Sequence, residues 1–104
     1  MSVHWITFRI DSKTVGGRSY EQRYQALVDA VNEHATDAWD EPTSFWLIES
    51  SASRSTIVAS IKRAIATSTD LVMVGSMETT GATLIGSAEK LAALKRLVPK
   101  LVVS

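Results

Sequence analysis

The sequence contains no cysteine among its 104 residues, which excludes disulfides, iron–sulfur clusters, thiolate zinc sites and thiol catalysis. It also lacks net charge, because eleven basic residues balance eleven acidic ones. A strongly cationic nucleic-acid binder is therefore excluded, although a local basic patch is compatible with this balance. No apolar run exceeds four residues, far below the ~20 that a membrane-spanning helix needs.

What is present is typical of a folded globular protein. Apolar residues make up 45% of the chain and charged residues 21%, which is close to the average for soluble domains. The length predicts one domain over residues 1–104. No basic segment followed by a continuous apolar stretch opens the chain, so we expect no secretory signal, no membrane association and a cytoplasmic protein.

The first half of the chain alternates strand and helix patterns. Residues 3–10 are rich in β-branched and aromatic side chains, which predicts a strand. A glycine-bearing loop over 11–18 follows, and Ser19 with Gln22 forms a capping box for a helix over about 20–35. A short strand is possible around Trp39, and residues 43–49 predict a strand covered on both faces.

The second half continues this alternation. A stripe of apolar residues predicts a helix over about 54–66, and the apolar run within 70–76 is typical of a central strand buried on both faces. Residues 77–86 indicate a loop, and Ser87 is a candidate cap for a third helix that ends at Pro99. The tail 101–103 is apolar and strand-like.

This order of elements predicts an α/β (α+β) fold of ferredoxin-like type, a βαββαβ sandwich with two helices on one face of an antiparallel sheet. An extra helix and a short strand follow at the carboxyl end. The alternative is a small doubly wound parallel sheet. It requires four clear strands joined by long crossovers, which this sequence does not contain. The apolar tail would be more stable paired on a sheet edge, including that of a second subunit, than free in water.

Charges are segregated along the chain. Residues 24–53 contain six acidic and no basic residues, whereas residues 54–104 contain seven basic and three acidic ones. The acidic segment indicates a solvated surface, a cation site or a face that repels nucleic acid. Arginines are the candidates for phosphate contacts in a nucleic-acid complex: Arg9, Arg18, Arg54 and Arg63.

Asp11 is the candidate catalytic carboxylate, because it follows the first strand at its carboxyl end. Two such aspartates facing each other in a two-fold dimer could share a magnesium ion and activate water for phosphodiester cleavage. The other interpretation is turn chemistry, which is common for an aspartate after a strand. His4 and His34 have no partners at metal-ligand spacing. Trp5, Trp39 and Trp46 could stack on bases where exposed, or pack in the core.

The pattern resembles the small ferredoxin-like endonuclease family of CRISPR adaptation and its stand-alone SinR-like relatives. The residues that carry the resemblance are the first strand with Ser19-Tyr20-Glu21-Gln22-Arg23-Tyr24, Trp39 before Thr43-Ser44-Phe45-Trp46-Leu47-Ile48, and Asp70-Leu71-Val72-Met73-Val74. The resemblance covers residues 3–76 and implies a homodimer whose carboxyl-terminal strand adds to the partner's sheet. It also implies RNA or DNA as the partner.

One position departs from the nuclease members of this family. They have a Tyr-Asp pair near the end of the first strand, where this sequence has Phe8-Arg9. Arginine cannot ligate magnesium, so metal-dependent cleavage does not carry over at that position. Asp11 lies two residues later and shares a strand face with Arg9 if the strand continues.

Three function classes follow from these observations. The first is a dimeric nucleic-acid-associated or interaction module without strong catalysis and without a cofactor. The second is a magnesium-dependent endonuclease, an endoribonuclease or a DNase, that uses Asp11 as catalytic residue and metal ligand at the dimer axis. The third is an antitoxin-like or structural protein that binds a protein partner through an apolar patch or the acidic segment.

Overall fold

The computed structural model of the protein describes residues 1–77 and 82–103, so part of the expected 77–86 loop lies outside the described residues. Within this part of the chain six strands and three helices follow one another. In chain order they are β1 (Ser2–Arg9), α1 (Tyr20–Asn32), β2 (Asp37–Trp39), β3 (Phe45–Ser50), α2 (Arg54–Ala64), β4 (Leu71–Ser76), β5 (Thr83–Leu84), α3 (Leu91–Leu97) and β6 (Val102–Val103).

Four of the strands form one antiparallel sheet in the order β2-β3-β1-β4. The chain contains two βαβ units, β1-α1-β2 and β3-α2-β4. In the sheet, β3 lies between the two strands of the first unit, and β1 lies between the two strands of the second. This is the split arrangement of a ferredoxin-like sheet. The predicted βαββαβ fold class is therefore confirmed. β5 and β6 form a separate two-stranded parallel sheet.

The main core lies between α1, α2 and one face of the sheet. Even-numbered residues of β1 and β3 point to this face because side chains alternate along a strand. Tilted aromatic rings pack tightly there: the centroids of Phe8 and Trp46 are 4.4 Å apart, and those of Phe8 and Tyr24 are 5.9 Å apart. The buried residues of this core are Ile6, Phe8, Ile10, Leu27, Val31, Trp46, Ile48, Ile57 and Ile61.

A smaller core lies on the opposite face of the sheet, where α3 packs against β2 and β3. β3 is thus covered on both faces, as the sequence predicts, with Trp46 on the helix side and Leu47 on the α3 side. The buried residues of the second core are Trp39, Leu47, Leu94, Leu97 and Val98.

Both long helices end earlier than the sequence predicts, α1 in a local turn and α2 at a hydrogen bond to a residue of the following loop. α1 ends at Asn32, after which the N–H groups of His34 and Ala35 both bond to the carbonyl of Val31 in a turn. α2 ends at Ala64, and the N–H of Ala66 donates to the Asp70 carboxylate at 2.9 Å instead of continuing the helix.

The predicted start of the third helix at Ser87 is wrong. α3 begins at Leu91, and its N-cap residue, Lys90, makes no side-chain cap. The carboxylate of Glu41 accepts the N–H groups of Glu89 and Lys90 at 3.0 and 2.8 Å. A carboxylate from a distant loop therefore binds the backbone at the start of α3, where negative charge is favourable.

The prediction that residues 70–76 form a central strand buried on both faces is also wrong. β4 lies at the edge of the sheet and pairs only with β1 among the described strands. Its even-numbered side chains, Val72 and Val74, pack on the helix-side core. Leu71 and Met73 point to the other face and are 57% and 56% exposed.

Candidate functional site

A buried ion pair joins the loops at the carboxyl end of β1. Arg23 Nε donates to Asp70 Oδ2 at 2.9 Å, and both side chains are 0% exposed. Arg23 also donates to the carbonyls of Arg18 and Asp11, and Asp70 accepts the backbone N–H groups of Asp11 and Ala66. The pair therefore fixes both the β1–α1 loop and the α2–β4 loop.

The sequence carries a signal for this pair that the pattern analysis missed. Arg23 lies four residues before Leu27 and eight before Val31, on the apolar stripe of α1. A charged residue on such a stripe needs a buried counter-charge. Burial raises the pKa of the Asp70 carboxyl, but the hydrogen bonds from Arg23, Ala66 and Asp11 together hold it below its ordinary value.

Asp11, the predicted catalytic residue, is half-buried and is already used in a turn. Its Oδ1 accepts the N–H of Lys13 at 2.9 Å. The described residues include no group of three histidine, cysteine, aspartate or glutamate side chains that could hold a metal ion. One protomer therefore does not supply a magnesium ligand set around Asp11 in this part of the chain.

The four predicted phosphate-contacting arginines do not form one cluster. Arg9 is exposed at the end of β1, on the sheet face opposite α1 and α2. Arg18 is partly buried, and its guanidinium donates to the carbonyl of Ala64. Arg54 and Arg63 are exposed at opposite ends of α2, in the helix layer.

The start of α1 uses two of its backbone donors in a capping box. The side chain of Ser19 accepts the N–H of Gln22, and the side chain of Gln22 accepts the N–H of Ser19, which confirms the predicted capping box. In front of the cap, Gly16 and Gly17 adopt φ values of +57° and +76° in a tight hairpin turn. These glycines serve the turn rather than a phosphate loop.

The two oppositely charged segments of the sequence face each other in the fold. Lys90 Nζ lies 2.7 Å from Asp40 Oδ1, and Arg96 Nε lies 3.0 Å from Asp37 Oδ2. These contacts join the region of α3 to that of β2. Part of the acidic segment and part of the basic segment are thus paired with each other instead of forming separate binding patches.

The histidines differ in their surroundings. His34 Nε2 and the hydroxyl of Ser60 are 2.8 Å apart. His4 is buried, and neither of its ring nitrogens has a hydrogen-bond partner within residues 1–77 and 82–103. Burial lowers the pKa of the His4 imidazole; the backbone of Ala52 opposes this shift and the charge of Arg54 adds to it.

The sheet face opposite α1 and α2 is open over β1 and β4. Register pairs Thr7 with Met73 and Arg9 with Leu71 across these two strands. Trp5 and Thr7 are partly exposed there, whereas Arg9, Leu71 and Met73 are exposed. We call the residues Trp5, Thr7, Arg9, Leu71 and Met73 the open face.

A cavity of about 780 Å³ lies next to the open face, between the sheet and the carboxyl-terminal segment. Its volume is within the ~300–1,000 Å³ typical of ligand pockets, and its lining is mostly apolar and aromatic. The sheet residues that line it are Trp5, Thr7, Trp39, Phe45, Leu47 and Ser76. The carboxyl-terminal segment contributes Leu84, Leu94, Val98 and Leu101.

No helix in the described part of the chain has the length and apolar character needed to cross a membrane. Neither a family model nor a protein of curated function matches this sequence. The function therefore has to be argued from the chain's own residues, and the open face with its adjoining cavity is the candidate functional site.

Proposed function

We propose that this protein is a small homodimeric module that associates with nucleic acid through the open face of its sheet. The observation that carries the proposal is the open face itself, which combines an exposed arginine with exposed apolar side chains beside the edge of β4 that no other described strand pairs with. Large exposed apolar side chains that cluster on one surface mark interaction sites in soluble proteins.

The edge of β4 supports the dimer. Its sequence, Leu-Val-Met-Val-Gly-Ser, contains none of the charged residues or prolines that usually protect an edge strand from pairing. Two copies of β4 paired antiparallel would continue one sheet across the dimer. Leu71 and Met73 of each copy would then lie beside those of the other, while Arg9 and Trp5 keep their access to solvent.

Arg9 supports the association with nucleic acid. It is the one charged residue that β1 and β4 direct to the open face, because the other positions there are Val3, Trp5, Thr7, Leu71, Met73 and Gly75. Arginine suits phosphate through its planar set of donors. A dimer presents two copies of Arg9 on one sheet.

Arg54 and Arg63 lie in the helix layer, so a ligand on the open face would not contact them. Binding through the helix layer instead would depend on Arg63 and not on Arg9. Single substitutions of Arg9 and of Arg63 can thus distinguish binding on the open face from binding on the helix layer.

The experiment is a gel assay with purified protein and labelled RNA and DNA, single-stranded and duplex, at two salt concentrations, with magnesium or with chelator. We expect a salt-sensitive shift without cleavage, because phosphate contacts weaken as salt rises. Magnesium-dependent cleavage that Asp11→Ala abolishes would replace this proposal with the endonuclease. The absence of any shift at low salt would replace it with a module that binds only protein.

A further inference from the structure

We infer that the ligand of the open face is a single-stranded nucleic acid, whose unpaired bases stack in the cavity against Trp5 and Phe45. This inference rests on the proposed function and names the substrate class for that site. It commits to single strands because bases inside a duplex are stacked on one another and cannot enter a side pocket without being extruded.

Two aromatic side chains from neighbouring strands meet at the cavity. The β1–β3 register pairs Trp5 with Leu47 and Thr7 with Phe45, so Trp5 and Phe45 are diagonal neighbours on the same face. Diagonal positions of this kind are about 7–8 Å apart, a distance that aromatic side chains bridge. Both rings line the cavity and both are partly exposed.

The aromatic rings on the helix side of the sheet are occupied by contacts with one another. Phe8, Trp46 and Tyr24 pack on each other in the helix-side core. Within the described residues, the aromatic ring pairs do not include Trp5 or Phe45. Trp5 and Phe45 instead pack partly against the second core and keep part of their surface exposed. Surfaces that recognise single strands combine exposed aromatic rings with cationic side chains, and stacking of bases on such rings is sequence-tolerant.

The polar groups around the cavity suit a base attached to a phosphate. The hydroxyl of Thr7 donates to the carbonyl of Ser44 at 3.2 Å and can accept a hydrogen bond from the polar edge of a base in the cavity that Thr7 lines. Arg9 follows Thr7 on the same face, roughly 7 Å further along the strand. Trp5, Thr7 and Arg9 therefore follow one another along β1, with Phe45 beside Thr7 on β3, in an order that suits a base attached to a phosphate.

The test uses the affinity of the full-length protein for a labelled single-stranded oligonucleotide and for the duplex of the same sequence, as RNA and as DNA. Phe45→Leu keeps an apolar side chain but removes the ring, and Phe45→Tyr restores a ring. Tyr20→Leu is the matched control, because Tyr20 is an exposed aromatic residue at the start of α1, outside the cavity.

We expect Phe45→Leu to weaken single-strand binding by roughly 5- to 150-fold, the range for loss of one stacked base. Phe45→Tyr and Tyr20→Leu should stay close to wild type, and wild type should prefer the single strand to the duplex. Equal loss in Phe45→Leu and Tyr20→Leu, or equal affinity for single strand and duplex, would overturn the inference and leave the proposed function standing. No binding by wild type at low salt would overturn both.

A measurement on the wild-type protein tests the inference even where Phe45→Leu fails to fold. Ultraviolet cross-linking to a single strand that contains a photoreactive pyrimidine should attach the strand to a peptide that includes Trp5 or Phe45. Cross-links found only on α1 or α2 peptides would place the bases on the helix layer and contradict the inference.

Discussion

Arg23 and Asp70 form an ion pair that is fully shielded from solvent, 47 residues apart in the chain. Each member also holds backbone groups of the neighbouring loops. The start of α1 and the start of β4 are thereby tied to the carboxyl end of β1, close to Arg9. The geometry of the proposed binding face therefore depends on a polar contact in the interior.

Replacing Arg23 by methionine should destabilise the protein by about 3–5 kcal/mol, because the Asp70 carboxylate is left buried without its counter-charge. Urea denaturation measures this loss. The double variant Arg23→Met, Asp70→Asn should lose less than the single variant, since the orphaned charge is removed. Arg96→Met, at an exposed ion pair, is the control and should have a much smaller effect. Equal losses at Arg23 and Arg96 would contradict this account of the pair.

Gly75 should not tolerate alanine, because a Cβ at this position would lie 2.1 Å from the Trp5 ring. We expect Gly75→Ala to cost about 1–3 kcal/mol through the displacement of that ring. In a Trp5→Leu background the same change should cost clearly less. A double-mutant cycle measured by thermal or urea unfolding checks this coupling, and purely additive effects would argue against the contact.

The stability of the protein should fall as the pH drops below about 6.5, the ordinary pKa of histidine. Burial lowers the pKa of His4 in the folded state, so the unfolded state takes up a proton that the folded state does not. His4→Leu should flatten the stability profile between pH 7.5 and 5.5. A flat wild-type profile over this range would show that His4 does not titrate as its burial requires.

The stability of the protein should also fall in a second, more acidic pH range. The pKa of Asp70 is held below its ordinary value by Arg23, Ala66 and Asp11 against the opposing effect of burial. The stabilisation from this group is complete above about pH 4 and is lost as the pH falls through the folded-state pKa. Asp70→Asn should lose this low-pH component, which denaturant titrations from pH 5 to pH 2 would reveal.

The β4 edge should control self-association. Met73→Lys introduces a charge on the open face beside that edge, a device that natural edge strands use against pairing. We expect light scattering to report a dimer for wild type and a shift towards monomer for Met73→Lys. Asn32→Lys, which adds the same charge at the exposed end of α1 in the helix layer, is the control. A wild-type monomer at high concentration would contradict the proposed dimer.

The fold was predictable because local patterns decide it. The capping box at Ser19 and Gln22, the stripe of α1 and the alternation in β1 each specify an element, and their order leaves few topologies. The edge position of β4 was not visible in its apolar run. A run of this kind is the same whether the second face is covered by protein or open to an interaction partner.

The candidate site was predictable only in part. Arg9 is a candidate from the phosphate chemistry of arginine, and its exposure at the end of β1 is compatible with such a contact. The position of Arg23 on the apolar stripe of α1 indicates burial, but the sequence does not show that Asp70, 47 residues later, supplies the counter-charge. Likewise, Lys90 and Arg96 belong to the basic segment 54–104, although the fold pairs them with Asp40 and Asp37.

The most direct test of the central claim is the salt dependence of nucleic-acid binding by wild type, Arg9→Gln and Arg63→Gln. The account predicts that Arg9→Gln weakens binding and reduces the slope of log affinity against log salt by about one for each Arg9 that contacts a phosphate, and so by about two when both copies in the dimer do. Arg63→Gln should retain the wild-type slope. The opposite pattern, or no salt-dependent binding by any of the three proteins, would contradict the account.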